Sequence, residues 1–138
     1  MILPCEVAVK SVIPAIRSAI ARELTQSYGL KQEEVAQLLG ITQTAVSKYT
    51  RHCRGAVLEV KEVEDAQPIL KETVWSLANG EMNKYELAEK LCQVCGIIRQ
   101  RGLMCKLCAL SDPTIDYSKC IVCCPNSNPT RIYKPKKE

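Results

Sequence analysis

The residues of this chain best suited to chemistry are its nine cysteines, seven of which fall between Cys92 and Cys124. Six of them form three Cys-x-x-Cys pairs: Cys92/Cys95, Cys105/Cys108 and Cys120/Cys123. Cys124 adjoins the last pair, with Pro125 behind it. Thiolates converging in fours hold a divalent metal or an iron–sulfur cluster. One such pair is weak evidence, but three within 32 residues are strong. Cys92 and Cys95 stand three apart at the end of an expected helix, which projects both sulfurs from one side. Gly96 and Gly102 let GIIRQRG turn back and bring Cys105 and Cys108 alongside. Cys92, Cys95 and Cys105 are the first three ligand candidates, and Cys108, Cys120 and Cys123 compete for the fourth place.

Three readings of the ligand stay open. An iron–sulfur cluster, four-iron ahead of two-iron, uses the surplus of three thiols, and Cys124-Pro125 matches the end of the bacterial ferredoxin run, the rest of which is missing. Zinc is the general expectation for paired Cys-x-x-Cys motifs, although the nine-residue loop from Cys95 to Cys105 is shorter than the common ribbon spacing. Pure thiol/disulfide switching is the third. With Phe absent and aromatics at 4%, this end of the chain depends on its ligand for its fold. Cys5 and Cys53 lie far off in sequence and are read as free buried cysteines.

A second stretch, Gln32 to Arg51, presents a different chemistry. Val35, Ala36 and Leu39 give one short helix an apolar face, and Ala45, Val46 and Tyr49 do the same for the next. Between them Gly40 supplies a left-handed turn, Ile41 plugs it, and Thr42 caps the second helix. Thr42, Gln43, Thr44, Ser47, Lys48 and Arg51 are left on the outside. A helix with such a face, held at a fixed angle, suits a DNA major groove. Gln43 has the geometry for adenine, and Lys48 reaches guanine acceptors or a phosphate. Arg51, His52 and Arg54 follow the helix and suit phosphates, which position without specifying.

The segment LPCEVAVKSVIPAIRSAIARELTQSYGLKQEEVAQLLGITQTAVSKYTRHCRG resembles the N-terminal part of a group of predicted archaeal transcriptional regulators. Their helix-turn-helix is similar to that of the Cro and lambda-repressor superfamily, the XRE type. The resemblance covers about the first 55 residues, and GLKQEEVAQLLGITQTAVSKY carries it most specifically. It implies DNA binding through the second hairpin helix, function as a homodimer, and base-edge contacts from Gln43, Thr44, Ser47 and Lys48.

These elements need a scaffold. Leu3, Pro4 and Cys5 read as a short extended segment. Ser11 then caps a helix with Pro14 in its first turn and an apolar stripe of Ile13, Ile16, Ile20 and Leu24, ended by Gly29. Val57, Val60 and Val63 fit either a loop with a short helix or a weak strand. Gln67-Pro68 opens a helix carrying Leu70, Val74, Trp75 and Leu77 inward or toward a partner. Asn83 and Glu86 form a capping box for another, with Tyr85, Leu87, Ala88, Leu91 and Val94 on its apolar face. These two helices bury their faces either in a subunit interface, as two-fold readers of paired half-sites do, or in the core of the monomer.

The fold expected is mainly α: a helix-turn-helix domain at 1–55, a helical dimerisation segment at 56–91, a cysteine module at 92–124 and a basic, disordered tail at 125–138. A net charge of +4 is too mild for binding nucleic acid by charge alone. No eighteen-residue apolar run or signal-peptide pattern occurs, so a cytoplasmic protein that does not enter membranes is expected. An oxidoreductase reading of Cys-x-x-Cys lacks its βαβ setting, and no enzyme is expected. An adaptor with structural zinc, its hairpin contacting protein or RNA, is the alternative to a DNA-binding regulator. In the regulator, losing or oxidising a cluster next to a dimer helix would alter the separation of the recognition helices.

Overall fold

The computed structural model describes residues 2–51, 58–114 and 116–123. It is mainly helical, with no strand among the described residues. In chain order the α-helices are α1 (Pro4–Lys10), α2 (Val12–Gln26), α3 (Gln32–Leu39), α4 (Gln43–Thr50), α5 (Gln67–Ala78), α6 (Lys84–Gln100) and α7 (Cys105–Ser111).

The chain is built around α2. Eight of its fifteen residues are buried, among them Val12, Ile16, Ile20 and Leu24, together with the small Ala15, Ser18, Ala19 and Ala21. Burial so far round the helix is the mark of a central element, and the small side chains let neighbours come close. Helices α1, α3, α4, α5 and α6 all pack against it. One apolar core runs from Val7 to Met104, including Leu70, Val74 and Leu77 of α5 and Leu87, Val94 and Ile98 of α6. The apolar faces of α5 and α6 are thus used inside the chain. A single helix, α6, spans the expected boundary between residues 91 and 92.

Several local expectations needed correction. The Leu3–Cys5 stretch is the start of α1. Pro4 takes the first helical position, where its missing N–H costs nothing, and the Glu6 carboxylate accepts from the Leu3 N–H at 2.6 Å. Ser11 precedes α2 without capping it: its hydroxyl donates to the Val7 carbonyl at 2.6 Å, closing α1 instead. Gly96 does not turn the chain. It lies inside α6, and the reversal comes at Gly102, whose φ is +72°.

The valine triplet resolves into two 3-10 turns, Val60–Glu62 and Glu64–Ala66, which bury Val60, Val63 and Ala66. A helix with three residues per turn puts every third side chain on one face. Val57 lies outside the described residues. The Gln67 amide donates to the Val60 and Val63 carbonyls and fastens these turns to the start of α5. Asn83 and Glu86 make the expected capping box. Tyr85 and Ala88, expected on an apolar face, are exposed, and so is Trp75. Trp75 instead borders an open groove between α2 and α5, shared with Tyr28, Ile20 and Lys71.

Candidate functional site

The helix-turn-helix geometry follows from four local features. Val35, Ala36 and Leu39 hold α3 to the core. Gly40 then adopts φ +65°, and the N–H of Ile41 returns to the Ala36 carbonyl at 3.0 Å, closing the helix end. Thr42 sits in extended backbone and its hydroxyl accepts from the Ala45 N–H at 3.1 Å, capping α4. Ala45, Val46 and Tyr49 are buried, and the Ser18 hydroxyl of α2 donates to the Tyr49 carbonyl at 3.4 Å. Ile41 is half-buried as the turn's plug.

The residues expected to read DNA lie on the outer side of α4 and at its ends. Thr42, Gln43 and Thr44 are exposed at the N-terminal end of α4, and Ser47 and Lys48 are half-exposed one turn later. Arg51 is exposed just beyond, its Nε donating to the Ser47 carbonyl at 3.3 Å. Arg54 lies outside the described residues, as do His52 and Cys53.

Several of the described thiols lie around an arginine, Arg99. Cys95 is buried and Cys92 exposed on the same helix, close enough for a charge on Cys92 to be felt at Cys95. One helical turn after Cys95 stands Arg99, which spacing along α6 puts beside it. Arg99 Nε donates to Cys123 Sγ at 3.3 Å, and its Nη1 reaches Cys5 Sγ at 3.7 Å. Arg99 also lies beside Cys95: burial pushes the Cys95 thiol up, against the opposing charge and hydrogen bond of the guanidinium. Burial likewise raises Cys108, which feels Cys123 and Cys120 as well as Arg99. The hydrogen bond to Cys123 is the main reason that Arg99 holds its proton even more firmly than usual.

Arg99 is therefore the hub of Cys5, Cys95, Cys108 and Cys123. Sequence reasoning missed both Arg99 and Cys5. The i, i+4 spacing from Cys95 would have found Arg99, but no local signal marks Cys5, which is a free cysteine but exposed rather than buried. Cys105 is half-buried, Cys120 is exposed, and Cys124 lies outside the described residues.

The donor set suits a thiophilic group, since thiolates favour iron–sulfur clusters and zinc, and the guanidinium offsets the charge that several thiolates accumulate. Among the described residues no three Cys, His, Asp or Glu side chains are grouped to hold a metal ion.

Residues 20–51 match a family model described as helix-turn-helix. The match runs from the second half of α2 to the end of α4, the unit whose geometry is given above, and it supports a DNA-binding helix-turn-helix of the XRE type. No curated protein and no solved structure matches the chain. Among the described residues, no helix is long and apolar enough to cross a membrane.

Proposed function

We propose that this chain is a sequence-specific transcriptional regulator that reads duplex DNA as a cytoplasmic homodimer. Its C-terminal cysteines hold an iron–sulfur cluster, and DNA affinity follows redox state or iron supply through it. The observation that carries the DNA reading is α4 itself, capped by Thr42 and anchored by Ala45, Val46 and Tyr49, with Gln43 and Thr44 outward. Gln43 matches the paired donor and acceptor of adenine, and Lys48 the acceptors of guanine or a phosphate. Thr42, Thr44 and Ser47 are short and contact bases only where the helix sits deep. Arg51 follows on the phosphates.

Two copies on half-sites one helical turn apart would supply the length of site that one short helix does not. The cluster would bring reversible one-electron chemistry and sensitivity to iron supply. The chain's part would be to hold it with Cys92, Cys95 and Cys105 and a fourth thiol from Cys108, Cys120 or Cys123, with Arg99 beside Cys95 and Cys123.

Selection of binding duplexes from a random pool, using anaerobically prepared full-length protein, tests the DNA reading. An enriched site is expected, and Gln43→Ala should cost about 1–3 kcal/mol in discrimination at one base pair. Lys48→Ala should lower the slope of log affinity against log salt by about one if it contacts a phosphate. No enriched sequence, with binding indifferent to salt, would sink the proposal in favour of an adaptor.

A further inference from the structure

The groove between α2 and α5 belongs neither to the thiols nor to the outer face of α4. Its volume is about 710 Å³, the size of a small-molecule site. The floor is apolar: Ala19 and Ile20 come from α2, Leu70 and Val74 from α5, and all four are buried. Two large rings stand at its rim. Tyr28 is 42% and Trp75 51% exposed, so much of each ring faces the groove and solvent rather than the core. Aromatic rims over an apolar floor offer most to a flat, apolar body.

Charge at the rim decides what that body carries. Both carboxylates there are already engaged. Glu72 pairs with Lys90 at 3.6 Å, and Glu23 accepts from the Ser27 hydroxyl at 2.7 Å. Lys61 and Lys71 are exposed, and neither has an ion-pair partner among the described residues. Ammonium groups without partners beside an apolar floor select an anionic head on an apolar body. A second copy of the chain fits less well, because an isologous contact through this face would bring the same lysines together.

We propose that this groove binds a small organic anion with a flat, ring-bearing apolar body, and that the ligand is an effector of DNA binding. The ring system lies between Tyr28 and Trp75, and the carboxylate, sulfonate or phosphate meets Lys61 and Lys71. The site stands independently of the thiols, whereas the effector role rests on the DNA reading above. Helix α2 links the two. Ser18, next to Ala19 of the floor, donates to the Tyr49 carbonyl at the end of α4. A ligand shifts the reading helix only as far as it binds one arrangement of this contact better than another.

Trp75 is the single tryptophan of the chain, so the groove carries its own reporter. The test titrates full-length protein with anilinonaphthalenesulfonate and with phenylnaphthylamine, which has the same rings and no sulfonate. Saturable energy transfer from Trp75 to the sulfonate probe is expected, at one probe per chain. The double variant Lys61→Gln/Lys71→Gln should bind that probe at least about tenfold more weakly, the size of one charge-assisted contact, and the neutral probe as before. Both lysines are exposed, and circular dichroism checks that helix content is kept. Absent energy transfer, or equal binding of the sulfonate probe to both proteins, would overturn the site. So would a Trp75 that acrylamide reaches in dilute protein but not where the chain dimerises, which would give the groove to a second copy. Saturating the groove should change duplex-DNA affinity by at least about fivefold, and an unchanged affinity would overturn the effector role. If the chain binds no duplex, the effector role falls with the DNA reading, while the fluorescence titration still decides the site.

Discussion

Helices α4 and α7 differ by one residue in length and are held by different forces. Of the eight residues of α4, Ala45, Val46 and Tyr49 are buried; of the seven of α7, none is. Nearby, Leu110, Ile121 and Val122 face solvent at 70%, 73% and 60% exposure. The reading helix is placed by apolar burial together with a cap at one end and a glycine turn before it. The cysteine end is placed by the Arg99 hydrogen bonds, the Ile2–Asp112 contact and the buried Met104 at its root. A helix closed by apolar burial has its structure before any ligand arrives. One with nothing buried gains most from a group that joins its side chains, because binding free energy then becomes folding free energy.

Three experiments bear on that contrast, beginning with the largest expected change. Ile16→Ala empties a fully buried position on α2 and should cost about 2–5 kcal/mol, whereas Leu110→Ala on α7 should stay within about 0.5 kcal/mol. Denaturant unfolding of the two variants reads the difference directly. Equal losses would mean that α7 is packed as tightly as α2 and would break the comparison.

Gly40→Ala comes next. No atom lies within 4 Å of the added methyl, so the cost is that of left-handed backbone alone, about 1–2 kcal/mol. Thermal unfolding should show that loss, accompanied by weaker DNA binding, while metal content stays unchanged. A drop in metal content would show that the two regions are less separate than their packing indicates.

The smallest effect concerns pH. Hydrogen bonds from the Thr114 hydroxyl and N–H, and to a lesser extent from the Ile2 N–H, hold Asp112 below the ordinary carboxylate range. A lowered folded value means that its contribution is present above the unfolded pKa and is lost as pH falls through the folded one. The protection of the Ile2 amide, its exchange rate relative to the intrinsic rate at the same pH, should therefore fall as the solution is acidified below the usual aspartate range. In Asp112→Asn that acid-side change should disappear, whereas exchange in the α3–α4 turn should be unaffected by the substitution.

Much of the N-terminal half was legible without coordinates because its determinants are local. The left-handed Gly40, the Thr42 cap and the apolar positions of α3 and α4 each involve residues within one or two turns. The same holds for the box made by Asn83 and Glu86, and for the three-residue period of Val60 and Val63, which pointed to a short helix or a strand and became 3-10 turns. The misreadings arose where helical periodicity marks a face but not what covers it. Trp75 and Tyr85 sit on plausible apolar stripes, yet α2 covers only part of each helix and leaves both exposed. Leu3 to Cys5 reads as an extended segment, whereas Pro4 at the first helical position starts α1.

The sequence by itself determined that two short helices form a helix-turn-helix, and that thiols concentrate at the other end of the chain. Tertiary structure decided which thiols meet. Cys92 and Cys95 lie on one helix as their spacing implies, but packing buries Cys95 and leaves Cys92 exposed. Cys5 reaches Arg99 only because Val7 and Ala8 draw α1 into the core that α2 organises. Hydrogen-bonded turns and caps are written within a few neighbouring residues. A contact across 94 residues depends on how every helix between them packs, and no local pattern encodes it.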